Sequence, residues 1–201
     1  DEVYPPEQPS MTFSFGALEE VMEGAMRPGH FAGVGQVVAR LLYLVQADYL
    51  LLGEKDYQQF LVVRDLLRQL RDEHKPFEPD EPTWHKIPEL IMGTTHRDEG
   101  GLALSSRNQR LSSEGRLKAR QIYAALQHAR RSWTHESPDE TVQKILLMLA
   151  EVPDFRVEYI QLADSDTLAA VREWGNHSSV RIFAAVWIEG VRLIDNTVVF
   201  P

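Results

Sequence analysis

The chain has 201 residues, of which 43% are hydrophobic and 25% are charged, and its formal net charge is −9. This composition is typical of a globular protein, and the acidic balance disfavours non-specific binding to nucleic acid, which depends on Lys and Arg. The apolar runs are far shorter than the roughly 20 residues of a membrane span, and the absence of cysteine excludes disulfides, thiolate metal sites and a cysteine nucleophile.

Residues 1–10 are rich in Pro and acidic side chains and predict a loop. They carry neither a secretory signal nor an initiator Met, so we expect a cytoplasmic protein whose natural sequence begins upstream. Residues 11–23 mix a short extended piece with a helical one. The apolar residues that follow recur on one face of a helix over residues 31–46: Val34, Val37, Val38, Leu41, Leu42 and Val45.

The next segments predict a βαβ unit. Residues 48–52 form an apolar run that ends at Gly53, residues 57–71 have a helical pattern, and residues 87–92 form a second strand-length run. A helix that crosses between two strands makes those strands parallel, so we expect an α/β domain. The Pro-rich residues 71–86 form a longer connection than is usual and predict a surface insertion.

The composition changes after a loop at residues 93–110. Helical patterns occupy residues 113–133 and 138–151, and strands are predicted at 156–163, 180–188 and 191–194, with a hairpin turn at Glu189-Gly190. The fold class is therefore α/β, a parallel sheet followed by a small α+β domain with an antiparallel sheet. We place the domains at residues 1–97 and 98–201.

The string Gly53-Glu54-Lys55-Asp56 lies where parallel sheets bind ligands, between the carboxyl end of a strand and the start of a helix. Lys55 suits a phosphate and Asp56 a ribose hydroxyl. The alternative is that these residues are simply a polar helix start. Of the adjacent Gln58 and Gln59, one can be a solvated surface residue and the other can face the crevice, although neither residue alone indicates a site.

Two further segments carry candidate site residues. Arg27 and His30 precede the helix at 31–46. For His30, the alternative to a site role is a structural role at the start of that helix. In residues 100–108, Arg107 can fork onto phosphate oxygens while Ser105 and Ser106 donate single hydrogen bonds, which favours a mobile clamp over a Ser-rich capping loop. We expect no metal site, since neither Cys nor a His-Glu-x-x-His pattern is present.

Three strings in this order closely resemble the pantothenate synthetase family: Arg27-Pro28-Gly29-His30-Phe31, Gly53-Glu54-Lys55-Asp56-Tyr57-Gln58-Gln59 and Gly101-Leu102-Ala103-Leu104-Ser105-Ser106-Arg107-Asn108. The ending Arg192-Leu193-Ile194-Asp195-Asn196 is also similar to that family's close. The resemblance covers nearly the whole chain, and three ordered strings are far more specific than one.

The resemblance implies a nucleotidyltransferase-type Rossmann domain with a C-terminal lid domain, acting as a homodimer. It also implies that ATP, with Mg²⁺, activates pantoate as pantoyl adenylate, from which β-alanine displaces AMP. In the implied site, Lys55 and Arg107 are catalytic, Gln59 binds pantoate, His96 contacts adenine through its backbone, and Arg27 and His30 border the pocket. The implied ATP-binding residues are Gly53, Glu54, Lys55, Asp56, His96, Leu104, Ser105, Ser106 and Arg107.

The chain also departs from the family pattern. It begins after the family's His-x-Gly-His motif and a pantoate-binding glutamine, and His96 stands where an apolar residue is usual. A non-catalytic nucleotide-binding or interaction module therefore remains an alternative. Another nucleotidyltransferase, such as a cytidylyltransferase, is less favoured because it leaves two of the quoted strings without a role.

Overall fold

Two units make up the computed structural model, which describes residues 11–72, 86–175 and 177–200. The first unit ends at Gly93 and the second begins at Thr94. The side chain of Arg97 hydrogen-bonds to Asp195 inside the second unit, so the residues just after Gly93 are tied to that unit. The domains at 1–97 and 98–201 remain a proposal.

The first unit contains three helices and two strands in its described part. They are α1 (Met22–Met26), α2 (His30–Val45), β1 (Tyr49–Gly53), α3 (Tyr57–Asp72) and β2 (Glu89–Gly93). Short 3-10 helices precede α1 and α3, at Gly16–Glu19 and Glu54–Asp56. The helices and strands predicted from apolar periodicity are thus confirmed here. Most of the predicted insertion, residues 73–85, lies outside the described residues.

Strands β1 and β2 pair in parallel, from Tyr49 opposite Glu89 to Gly53 opposite Gly93. The predicted parallel sheet is therefore confirmed. Alternate β1 residues, Leu50 and Leu52, pack with the buried face of α3, while Leu51 points away and is 66% exposed. This alternation follows from the two-residue period of a strand.

Helix α2 packs against an aromatic pair from the segment before α1. The rings of Phe13 and Phe15 are buried, and a Cβ on Gly35 would lie only 2.9 Å from Phe15 Cζ. Glycine at this helical position therefore permits the close approach of the rings, which offsets its poor helix propensity.

The second unit is a three-stranded antiparallel sheet with helices. Its elements are α4 (Ser113–Ser132), α5 (Pro138–Ala150), β3 (Arg156–Asp164), β4 (Val180–Ile188) and β5 (Val191–Phe200), with strand order β3-β4-β5. The predicted hairpin is confirmed, since Ile188 pairs with Val191 and the turn residues Glu189 and Gly190 have φ of 50° and 70°.

The prediction that the last strand ends at residue 194 was wrong, because β5 continues to Phe200. Asp195 and Asn196 interrupt the apolar pattern, yet both are buried. Arg97 donates to the Asp195 carboxylate, and Arg181 donates to Asn196 Oδ1 at 2.5 Å. Partners distant in sequence therefore allow polar residues inside this strand.

Hydroxyl caps define where the two helices of the second unit begin. Ser112 Oγ accepts the Gly115 N–H at 2.9 Å, as a capping serine does. Ser137 and Glu140 form a capping box at the start of α5, with Pro138 in the first turn. Glu189 also accepts hydrogen bonds from the Ser112 N–H and Oγ–H, which ties the β4–β5 turn to the start of α4.

The core of the second unit lies between the helices and one face of the sheet. Leu126 of α4 and Leu149 of α5 are fully buried there, together with Ile182 of β4. No described helix combines the length and apolar character that a bilayer-spanning segment requires.

Replacing Leu126 with Ala is expected to lower the free energy of unfolding by about 2–5 kcal/mol, because it removes a fully buried side chain and leaves a cavity. Leu117→Ala, on the same helix where Leu117 is 56% exposed, is the matched control and is expected to change it by less than about 0.5 kcal/mol. Urea unfolding of both variants measures the difference. Equal losses would show that the packing of α4 is wrongly described.

Candidate functional site

The junction of β1 and α3 presents the first group of predicted site residues. Gly53 ends β1 with extended backbone angles, and Glu54, Lys55 and Asp56 form one 3-10 turn that runs directly into Tyr57 at the start of α3. The first N–H groups of such a turn have no partner within the helix, so this end of the strand suits an anion.

Lys55 is sheltered beside a carboxylate. Its side chain is 15% exposed, and its Nζ lies 3.6 Å from Asp56 Oδ1, whereas the Asp56 side chain is 49% exposed. The junction therefore combines a largely buried cation with an accessible acidic acceptor. Those groups can contact a phosphate and a sugar hydroxyl, respectively.

The two glutamines that open α3 differ in burial and in their contacts. Gln58 is buried, its Oε1 accepts the Glu23 N–H at 3.0 Å, and its Nε2 donates to the carbonyls of Leu18 at 2.7 Å and Val21 at 2.9 Å. Gln59 is half-buried, and no hydrogen bond joins its amide to another described residue. Gln58 thus fastens the segment around α1 to α3.

Arg27 and His30 stand at the connection between α1 and α2. Arg27 is exposed at the end of α1, and its carbonyl accepts the His30 N–H at 3.0 Å. His30 is the first residue of α2, is half-buried, and its ring centroid lies 5.1 Å from that of Phe31. Gly29 provides the turn before α2 with φ of 78°. The structure thus places both residues beside a helix start without joining them to the β1–α3 junction.

The second unit carries the remaining predicted residues on a hairpin and the turn that follows it. His96 and Leu104 face each other across the hairpin, where the Leu104 N–H donates to the His96 carbonyl at 2.9 Å. Between them, Arg97 forms an isolated antiparallel bridge with Ala103. His96 is therefore brought directly to the segment 104–107.

Residues 104–107 are presented outward. Leu104 is 57% exposed, and Ser106 and Arg107 are exposed in the 3-10 helix Ser106–Arg110. Ser105 Oγ accepts the Arg107 N–H at 3.3 Å, so the capping role that the sequence offered as an alternative applies to Ser105. No described residue forms an ion pair or hydrogen bond with the Arg107 guanidinium. It can therefore meet an anionic ligand.

Sequence reasoning missed the polar residues that support this hairpin. Asp98 Oδ1 accepts the N–H groups of Gly100 and Leu102, each at 2.9 Å, and its Oδ2 accepts from Arg120 Nε at 3.1 Å and Nη2 at 2.9 Å. Partial burial alone would raise the pKa of Asp98, but these hydrogen bonds outweigh it and hold the pKa below its usual value. The only sequence signal was a charged pair, Arg97-Asp98, ahead of two glycines.

Comparisons with known proteins give a consistent result. The family model for pantoate-beta-alanine ligase matches residues 1–198. Curated relatives named pantothenate synthetase include one from Azobacteroides pseudotrichonymphae, 40% identical over 92% of this chain and 61% of its own length. One from Bacteroides fragilis is 38% identical over 98% of this chain and 64% of its own length. The chain thus spans under two thirds of these relatives.

Solved structures agree with the sequence relatives. A pantothenate synthetase from Thermus thermophilus aligns with a TM-score of 0.84 and 39% identity, covering all of this chain and 67% of that one. A pantoate-beta-alanine ligase from Francisella tularensis, described as complexed with beta-gamma ATP and beta-alanine, aligns with a TM-score of 0.65 and 30% identity over 94% of this chain and 58% of its own. The predicted fold is confirmed by these likenesses.

The contrast between the two glutamines predicts unequal effects on stability. Gln58→Ala is expected to lower the free energy of unfolding by about 1–3 kcal/mol, because it leaves the Glu23 N–H and two carbonyls without their partner. Gln59→Ala is the matched control and should change it by less than about 0.5 kcal/mol. Urea unfolding of both variants checks this. A larger loss for Gln59→Ala would contradict the assigned contacts.

The lowered pKa of Asp98 predicts a pH-dependent contribution to stability. Because the folded pKa lies below the ordinary 3.8, the carboxylate stabilises the fold fully above that value and loses its effect as the pH falls through the folded pKa. The difference in free energy of unfolding between the wild type and Asp98→Asn should therefore shrink as the pH falls from about 6 to about 3. Urea unfolding across that range measures it, and a constant difference would contradict the prediction.

Proposed function

Because the chain belongs to the pantoate-beta-alanine ligase family, we propose that the protein joins pantoate to β-alanine at the expense of ATP. The family match over residues 1–198 is the observation that carries this proposal. The Francisella tularensis relative, described with beta-gamma ATP and beta-alanine, supports ATP and β-alanine as ligands of this protein too.

The reaction has two steps. A pantoate carboxylate oxygen attacks the α-phosphorus of ATP, which forms pantoyl adenylate and releases pyrophosphate. The amine of β-alanine then attacks the acyl carbon, the bond to AMP breaks, and the amine loses a proton. Since both steps join bound reactants, positioning supplies much of the rate enhancement and no covalent enzyme intermediate is needed.

In the first unit, Gly53, Glu54, Lys55 and Asp56 bind ATP in this proposal. The sheltered Lys55 ammonium contacts a phosphate, and the accessible Asp56 carboxylate accepts a ribose hydroxyl. Negative charge develops on the departing pyrophosphate, and opposite charges ~4 Å apart attract by about 4 kcal/mol at an effective dielectric of ~20. A fixed cation at this position would therefore stabilise the transition state.

Gln59 binds pantoate in this proposal, and Arg27 and His30 border the pocket. The Gln59 amide is half-buried and makes no hydrogen bond to another described residue, which leaves donors and an acceptor for a hydroxy acid. The neighbouring Gln58 has its amide engaged by the backbone around α1, so it does not share this role.

In the second unit, residues 104–107 grip the phosphates in this proposal. Arg107 offers five N–H donors that match phosphate oxygens, and the hydroxyls of Ser105 and Ser106 lie next to it. The His96 carbonyl already accepts the Leu104 N–H, but its second lone pair can accept the adenine amino group. This contact uses the backbone and not the His96 side chain. Histidine can therefore replace the apolar residue that is usual at this position.

Mg²⁺ fits this site as a partner of ATP. Within the described residues no group of three or more His, Asp or Glu side chains is arranged to hold a metal, whereas Glu54 and Asp56 adjoin the proposed phosphate position. Mg²⁺ commonly binds through one or two carboxylates together with substrate phosphates, and it would neutralise phosphate charge there. We further propose a cytoplasmic homodimer, on the family resemblance.

Pantoate-dependent exchange of labelled pyrophosphate into ATP by the intact protein tests the proposal, since only the first step is needed. Lys55→Ala and Arg107→Ala are each expected to slow this exchange by ~10²-fold or more, because each removes a cation from the developing charge. Both should change the free energy of unfolding by less than about 1 kcal/mol. Arg110→Ala, an exposed arginine of the same 3-10 helix, is the matched control and should exchange normally.

The outcomes separate the alternatives. Robust exchange that requires pantoate and ATP would exclude the non-catalytic module. Exchange that requires CTP and is independent of pantoate would replace the proposal with a cytidylyltransferase. If neither Lys55→Ala nor Arg107→Ala slows exchange, or if Arg110→Ala slows it equally, the phosphate roles are wrong.

A further inference from the structure

Residues 104–107, of which Leu104, Ser106 and Arg107 are exposed, follow a tightly closed hairpin. The Asp98 N–H donates to the Leu102 carbonyl, and the Gly101 N–H donates to the Asp98 carbonyl, both at 2.9 Å. Gly101 has φ of 93° in this turn, a backbone region that side chains disfavour. The hairpin is therefore a defined structure, and its position determines where the residues after it lie.

Arg97 joins this hairpin to two other elements of the second unit. Its Nη1 donates to Asp195 Oδ2 at 2.6 Å and to the Gly101 carbonyl at 3.1 Å, and its Nη2 donates to Asp195 Oδ1 at 2.9 Å. The guanidinium carbon also lies 3.6 Å from the centroid of the Tyr123 ring. One side chain thus fixes the hairpin against β5 and α4.

The Arg97–Asp195 ion pair is sufficiently buried to fix the orientation of its two side chains. The Arg97 side chain is 15% exposed and that of Asp195 is 6% exposed. A two-pronged arginine–carboxylate contact in such surroundings fixes both distance and orientation, whereas apolar contacts fix neither to the same degree.

The position of the hairpin passes to residues 104–107 through two hydrogen bonds. The Leu104 N–H donates to the His96 carbonyl beside the Arg97–Ala103 bridge, and Asn108 Nδ2 donates to the Ala103 carbonyl at 2.9 Å. The segment that carries Arg107 is therefore held at both of its ends by the hairpin that Arg97 anchors.

We propose that Arg97, held by Asp195, is a positioning residue that sets where the ATP-binding segment 104–107 presents Arg107. The proposal rests on the proposed ATP-binding role of that segment. Arg97 is not required to touch the ligand, since its guanidinium is already engaged by Asp195, Gly101 and Tyr123. It acts through the segment instead.

A second ion pair on the same strand provides a matched control. Arg192 of β5 donates to Glu158 of β3 at 2.8 Å, and the two side chains are 10% and 11% exposed. Glu158 also accepts from Trp187 Nε1 in the same sheet. This pair resembles Arg97–Asp195 in chemistry and burial, and the Glu158 carboxylate accepts hydrogen bonds from β4 and β5 and from no described residue of the hairpin.

The test compares Asp195→Asn with Glu158→Gln in the intact protein. Each change removes one carboxylate charge and keeps the side-chain shape. Amide hydrogen exchange over residues 104–110 should accelerate in Asp195→Asn alone. The KM for ATP in pantoate-dependent pyrophosphate exchange should also rise by ~10- to 100-fold in Asp195→Asn alone, as expected for a misplaced binding group.

A double mutant distinguishes action through Arg107 from a general loss of structure. If Asp195 acts through that residue, Asp195→Asn should have little further effect on KM in an Arg107→Ala background, because coupled residues are not additive. Additive effects would overturn the proposal, as would equal acceleration of amide exchange in Asp195→Asn and Glu158→Gln. If Arg107→Ala itself leaves pyrophosphate exchange unchanged, the proposed function of the segment fails and the inference falls with it.

Discussion

The parallel pairing of β1 and β2 is the constraint on which the first unit depends. Two parallel neighbours cannot be joined by a tight turn, so the chain must cross back over the sheet, and α3 makes that crossing. In consequence, both strands end at the same edge, where Gly53 lies opposite Gly93. The turn that carries Lys55 begins at this edge, as ligand sites in open parallel sheets do.

The second unit depends on a different kind of interaction. Its helices and sheet enclose an apolar core, and apolar burial is strong but has little direction. The hairpin outside that core is instead fastened by polar groups: Asp98 binds Arg120, and Arg97 binds Asp195. Buried charges are costly to desolvate, so the Arg97–Asp195 pair contributes defined geometry more than stability. The exposed Arg107 is carried on the part of the unit that is fixed in this way.

Most of the elements could be predicted from the sequence, because helices and strands that cover a core carry its periodicity. The pattern of α2 was sufficient to locate that helix, and the helical pattern at residues 113–133 located α4. The end of β5 could not be found, since Asp195 is tolerated there only through a partner 98 residues away. The contacts of Gln58 could not be found for the same reason, because its three partners lie 35 to 40 residues earlier in the chain.

The two parts of the candidate site therefore differ in how much of their geometry can be predicted from a short sequence motif. Lys55 and Asp56 depend on a strand end and a helix start that adjoin them, so the string that contains them also contains most of what positions them. The string around Arg107 is different, since its orientation depends on Arg97 and on Asp195, near the far end of the chain. If residues 104–107 bind phosphate as proposed, a protein that retains Leu104-Ser105-Ser106-Arg107 but lacks that pair would keep the hydrogen-bond donors without their placement. Whether a related protein has a functional segment of this kind must accordingly be judged from the Arg97–Asp195 pair as well as from the residues of the segment.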